Sequence, residues 1–226
     1  TNQLYINEAC GLFAIADGMG GHEHGQLASR IAVEQFANLV QGRCLESFSL
    51  EEMRGLFTRA NAAIYQQQEA LHSGIMGTTL TAVIIDEDMM YVGHVGDSRL
   101  YLIHGSLIHQ VTRDHSYVEE MVAMGQMERD SSAYNRQKNI ITRAMGISET
   151  VDTDFFEVDL EPGDYFLLCS DGLTNMVEDR DICRIVSGPG TMREKASALI
   201  AEANRRGGND NIAVVLVKPL DSGLTT

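Results

Sequence analysis

Basic residues are scarce in this chain. Seventeen lysines and arginines face 32 aspartates and glutamates, for a formal charge of −15 at neutral pH. So acidic a surface repels a polyphosphate backbone, which argues against a nucleic-acid partner. Lysine occurs only as Lys138, Lys195 and Lys218, all far from the Gly18–Gly21 stretch, so no Walker loop is present. Long apolar runs are missing as well. Ile212 to Val217 is representative, and about 20 residues are needed to span a bilayer. No basic segment followed by an apolar one opens the chain, so export is not expected. The four cysteines (Cys10, Cys44, Cys169, Cys183) form no Cys-x-x-Cys pair, and Cys169, inside an apolar run, reads as a buried reduced thiol. A cytoplasmic, monomeric protein is the expectation. Three prolines, no low-complexity stretch and no repeat leave no interdomain linker, so one domain is expected over residues 1–226. The first residue is Thr1, which reads as a processed product or a fragment.

What is present is ordinary globular composition, 44% hydrophobic and 22% charged. Gly11–Ala16 is a short apolar run ending at Asp17-Gly18, the pattern of a buried strand. Ala28, Ile31, Ala32, Gln35, Phe36, Leu39 and Val40 follow helical spacing up to a stop at Gly42. Ser49/Glu52, Ser116/Glu119 and Thr191/Glu194 are capping-box pairs, each announcing a helix. Between Thr78 and Thr112, β-branched runs alternate with polar turns, Asp86–Asp88 among them, which predicts an antiparallel meander. Strands are expected again at 155–160, 165–169 and 212–217, with helices at 182–186 and 196–203. Strands and helices come in blocks, which argues for α+β with antiparallel sheets.

Three of the apolar strands meet an acid at one end. Two run into Asp17-Gly18 and Asp171-Gly172, and the third begins directly after Asn209-Asp210-Asn211. If the last runs antiparallel to the others, all three carboxylates reach one sheet edge. Such a cluster needs cations or protons, and an all-oxygen donor set suits Mg²⁺ or Mn²⁺. Asp-Gly after a strand is also common turn chemistry, so spacing alone leaves both readings open. His22 and His24 lack a third ligand at zinc spacing and read as solvated loop residues. Ser98 beside Asp97 invites a hydrolase triad, but any chain this long offers such triples.

The order of motifs is more specific. Asp17-Gly18-Met19-Gly20-Gly21-His22, Gly77-Thr78-Thr79, Gly96-Asp97-Ser98-Arg99, Asp114-His115-Ser116, Thr142-Arg143-Ala144-Met145-Gly146, Ser170-Asp171-Gly172-Leu173 and Gly208-Asn209-Asp210-Asn211 occur in register. Together they resemble the bacterial branch of the metal-dependent protein phosphatases of type 2C, over essentially the whole chain. The resemblance implies a four-layer α-β-β-α sandwich of two antiparallel sheets flanked by helix pairs. It implies hydrolysis of phosphoserine and phosphothreonine in proteins, opposing a bacterial Ser/Thr kinase, by a metal-activated water and no side-chain nucleophile. Carried over by position, Asp17 bridges two Mn²⁺ or Mg²⁺ ions with the Gly18 carbonyl on the second. Asp171 and Asp210 complete the first, Asp114 with Asp171 forms a third-metal site, and Asp97 supports the sheet. Met19 stands where animal members have a His, which leaves protonation of the leaving group to metal-bound water. A flap subdomain is implied at about 116–141, where Met121, Met124 and Met127 either contact substrates or pack as a helix face.

The match departs at its start. The family's Asp before the first strand falls on Asn2 by ungapped counting, or is lost altogether if one residue is deleted there. The family's phosphate-seating Arg falls ahead of Thr1. This implies a weak second metal, a gap around residues 1–3, or missing upstream sequence. It also motivates the alternative of a catalytically weak relative that binds phosphoproteins as a regulator.

Overall fold

The apolar runs of the sequence become strands buried on both faces. The computed structural model describes residues 1–40, 48–71, 74–129 and 131–219; the Gly42 stop and Cys44 lie outside them. In β2 (Leu12–Met19), Leu12, Ala14 and Ala16 enter one apolar cluster while Phe13 and Ile15 enter another. Alternate residues point to opposite faces, so a strand with a core on each side reads as continuously apolar. In β9 (Tyr165–Cys169), Leu167 and Cys169 divide from Phe166 and Leu168 in the same way.

Around these two strands stand two antiparallel sheets. One carries β1 (Asn2–Asn7), β2, β4 (Leu80–Asp86), β5 (Met89–Val95) and β8 (Asp154–Asp159) in that spatial order, with the short β3 (Gly77–Thr78) on β2. The other runs β10 (Val214–Val217), β9, β6 (Arg99–His104), β7 (Leu107–Gln110). Helices α1 (His22–Val40) and α2 (Leu50–Leu71) cover the first sheet, and α6 (Asp179–Ser187) and α7 (Met192–Arg205) the second. Between the sheets Phe13 meets Phe166 edge to face at 5.3 Å. The layers are therefore α-β-β-α, with the short α3 (Tyr117–Ala123), α4 (Ser132–Gln137) and α5 (Asp171–Thr174) at the rim.

Three expectations change. The stretch 78–112 is not one meander: β4–β5 and β6–β7 are hairpins in different sheets. The chain crosses at Gly96-Asp97-Ser98, where Gly96 takes φ +113° and a Cβ would lie 2.5 Å from Thr79 Cγ2. Strand β1 carried no signal, because Leu4 and Ile6 face outward from an edge and only three apolar residues are consecutive. His22 and His24 open α1 rather than sit in a loop; that first turn has no apolar stripe to announce it.

The capping box at Thr191 is complete. Its N–H donates to Glu194 Oε2 at 2.7 Å, and Glu194 N–H returns to Thr191 Oγ1 at 3.3 Å. Thr191→Ala is expected to lower stability by about 1 kcal/mol, read as a shift of the urea midpoint.

Candidate metal centre

Strand direction brings the acids together. β10 is antiparallel to β9 with Val214 opposite Cys169, so the segment entering β10 arrives where β9 ends. Ser170 then caps α5, whose first residue is Asp171. The Ser170 hydroxyl donates to the Asn211 carbonyl at 3.0 Å and accepts from Ala213 N–H at 3.0 Å. Asn2 Nδ2 adds bonds to Ser170 Oγ (3.2 Å) and the Asn211 carbonyl (3.0 Å). A Cβ on Gly172 would overlap that same carbonyl, so only glycine lets the two segments meet. In the other sheet, Asp17 lies opposite Asn2, and its backbone is held by Thr79 N–H, Thr78 Oγ1 and Thr79 Oγ1, each at 2.9 Å.

The carboxylates feel one another. Burial raises the Asp171 pKa to about 6, and Asp17, Asp210 and Asp114 add to the rise. Burial also raises Asp17, opposed by the Thr1 ammonium and reinforced by Asp210. Asp97, 7% exposed, is pushed up to about 8 by burial first, then by Asp171, Asp114 and Asp17. Like charges in a dry rim favour a proton or a cation on the group.

Two observations test whether these residues fit a divalent ion. Asp171 Oδ1 is buried with no hydrogen-bond partner, and so is Asn2 Oδ1. The donors are all oxygen, the kind that hard cations take. Among the described residues no three His, Cys, Asp or Glu side chains are already closed into a metal cage. Like charges do not close on one another unaided. The residues fit.

Asp17, Asp171 and Asp210 share the rim, and Asp210 also accepts from Asn211 N–H at 2.7 Å. Asp114 lines the same cavity as Asp171 and helps raise its pKa, and it is held in place by Arg99 (2.8 and 2.7 Å) and by Gln110, which donates to it at 2.9 Å. Asp97, which the resemblance implies as sheet support, stands in the crossover between the sheets and feels the charge of Asp171, Asp114 and Asp17. Sequence reasoning passed over His94 and read His115 and Glu119 only as part of a motif and a capping pair; all three are buried.

A cavity of about 440 Å³ opens beside Asp97 and Asp171. Its far wall includes Arg129, Tyr134 and Lys138, from the excursion that leaves the rim at Ser116 and returns at Ile141 through a β-bridge. Met124 on this excursion is 64% exposed. A larger cavity, about 590 Å³, lies at the other end of β2 beside Gly11 and Phe13 and touches none of these acids.

The sequence profile of protein phosphatase 2C matches residues 3–216. The chain belongs to the protein phosphatase 2C family. It is 39% identical to protein phosphatase PhpP of Streptococcus pneumoniae over 96% of this chain and 91% of that protein. The crystal structure of the Mycobacterium tuberculosis serine/threonine phosphatase PstP/Ppp superposes with a TM-score of 0.86, at 32% identity over 95% of this chain and 90% of that one. A catalytic domain of PstP in complex with two manganese ions gives 0.84, at 33% identity over 95% and 89%. Among the described residues of this family member, no helix is long and apolar enough to cross a membrane.

Proposed function

We propose that this chain hydrolyses phosphoserine and phosphothreonine in proteins, using Mn²⁺ or Mg²⁺ held by Asp17, the Gly18 carbonyl, Asp171 and Asp210, with Asp114 beside Asp171 for a further ion. The observation that carries the site is the group of carboxylates at one rim, with Asp171 Oδ1 buried and unpartnered. When bound, divalent ions supply an activated water and neutralise phosphoryl oxygens. The rest falls to the protein. The backbone bonds of Asp17 and the Ser170 hydroxyl hold the acids in place, so they need not reorganise during reaction. The 440 Å³ cavity offers room for the peptide beside its phosphorylated residue, and the excursion over 116–141 acts as the flap that frames it. At Asn2, an amide stands opposite Asp17; a neutral oxygen in place of the carboxylate that the resemblance implies would make a weaker second site. In the cell the enzyme opposes a Ser/Thr kinase.

Phosphate release from a phosphothreonine peptide is expected with Mn²⁺, is lost on adding EDTA, and returns with excess Mn²⁺. Activity that survives EDTA overturns the proposal. Turnover above background also excludes the reading of this chain as a non-catalytic phosphoprotein binder.

A further inference from the structure

We propose that Ile75 and Ile147 form an apolar shelf beside the metal centre, which receives the side chain next to the phosphorylated residue and makes the enzyme favour substrates with an aliphatic residue there. This rests on the phosphatase reading above and deepens it, by naming a feature of the substrate that the metals do not select. Register places the shelf. β2 is antiparallel to β3 and to β4, so the chain enters β4 at the end where β2 reaches Asp17-Gly18. Within that entry Gly77 lies opposite Met19, and Thr78 opposite Gly18, whose carbonyl is the proposed ligand. Ile75 comes two residues before Gly77, and its carbonyl lies against Gly20, where a Cβ would fall 2.0 Å from it. Ile147 reaches the same place from another loop. Its Cδ1 lies over Gly77, and a Cβ on that glycine would approach it to 2.6 Å.

Both loops are fixed from behind. Met76 N–H donates to Gln68 Oε1 on α2 at 2.7 Å. Met145 exchanges backbone bonds with Thr78 at 2.8 and 3.1 Å. Asn61, also on α2 and buried, accepts from Gly146 N–H at 2.8 Å and donates to the Ser148 and Glu149 carbonyls at 3.0 and 2.9 Å. Held this way, each loop turns a methionine, Met76 or Met145, into the core and an isoleucine outward: Ile75 is 66% exposed and Ile147 38%. A single exposed isoleucine needs no explanation. Two of them on anchored loops, one strand pairing from a proposed metal ligand, stand where a phosphoprotein must pass to deliver its phosphate. The occupant is therefore the substrate itself. Its chemistry follows from what the shelf lacks. Neither isoleucine offers a hydrogen bond or a charge, so a polar neighbour of the phosphorylated residue would lose water there without return, while an aliphatic one gains by leaving water.

The test is kcat/KM of the full chain, with Mn²⁺, on phosphothreonine peptides that differ only in one residue beside the phosphothreonine. That residue is Leu, Ser or Asp, placed in turn on the N-terminal and the C-terminal side. On one side the native chain is expected to favour Leu over Ser or Asp by about tenfold, through KM with kcat level. Ile75→Ser and Ile147→Ser are each expected to cut the Leu-to-Ser ratio by about threefold or more. Inhibition by inorganic phosphate, which reaches only the metals, is expected to stay unchanged in both. A native chain indifferent to Leu on either side, or variants that keep its ratio, overturns the inference alone. Loss of turnover on every peptide alike, with phosphate inhibition weakened, makes the isoleucines supports of the metal centre and overturns it too. If no peptide is turned over with Mn²⁺, the phosphatase reading falls and the inference with it. Should Ile147→Ser not fold, Ile75→Ser decides, since that side chain stands mostly in solvent.

Discussion

Asp171→Asn is expected to cut kcat/KM on a phosphothreonine peptide by about three orders of magnitude, roughly 4 kcal/mol of transition-state stabilisation. The size follows from what the substitution removes. Asp171 has its Oδ1 buried and unpartnered, while Oδ2 accepts from Asn175 Nδ2 at 3.1 Å. An amide keeps the shape and can keep the Asn175 contact, but it is neutral and a poorer ligand. The fold should survive. Asp171 is already held at a raised pKa of about 6 by burial and by Asp17 and Asp210, so a neutral group there relieves repulsion. The metal-free melting temperature should stay level or rise while turnover collapses, which separates lost chemistry from lost structure. A competing view makes Asp171 only the first residue of α5, where a carboxylate suits the helix N-terminus. That role is worth a few tenths of a kcal/mol to about 1 kcal/mol and predicts near-normal turnover. Steady-state kinetics at saturating Mn²⁺ distinguishes the two.

The layered fold was legible where local pattern and packing coincide. β2 and β9 read as strands because both faces are buried, and α2 and α7 because Ser49 and Thr191 cap them as their sequences announce. The Ser116/Glu119 pair was only half right. Ser116 caps the Glu119 N–H at 3.5 Å, but the Glu119 side chain turns away to Arg129 (2.5 Å) and Tyr134 (2.7 Å). Those partners lie 10 and 15 residues onward, beyond the reach of any capping rule. The same distance hid the partner of Asp114: only the tertiary structure shows that Arg99, 15 residues before it, pairs with that carboxylate. Which sheet a strand joins is also not local information, so the crossover at Gly96 could not be read from the β-branched pattern on either side of it.

Asp97→Asn is expected to stabilise the metal-free protein at pH 8 by a few kcal/mol. The folded-state pKa of Asp97 is about 8, against 3.8 for the unperturbed group. Between those values the folded chain holds a proton that the unfolded chain lacks, so stability falls as pH rises, by about 1.4 kcal/mol per unit. The full span sets an upper bound of about 6 kcal/mol, and relaxation of the rim reduces it. Other groups decide where the fall is visible. His94, lowered to about 4, is neutral when folded and protonated when unfolded up to about pH 6.5, so its contribution rises with pH and opposes Asp97 there. Asp171, raised to about 6 and coupled to Asp97, acts in the same sense as Asp97 but only at lower pH. The clear window is therefore pH 6.5 to 8, where urea unfolding in EDTA should show the native chain losing about 2 kcal/mol and Asp97→Asn staying level. Metal-free stability that is flat or rising across this window would mean that Asp97 is ionised and satisfied within the fold.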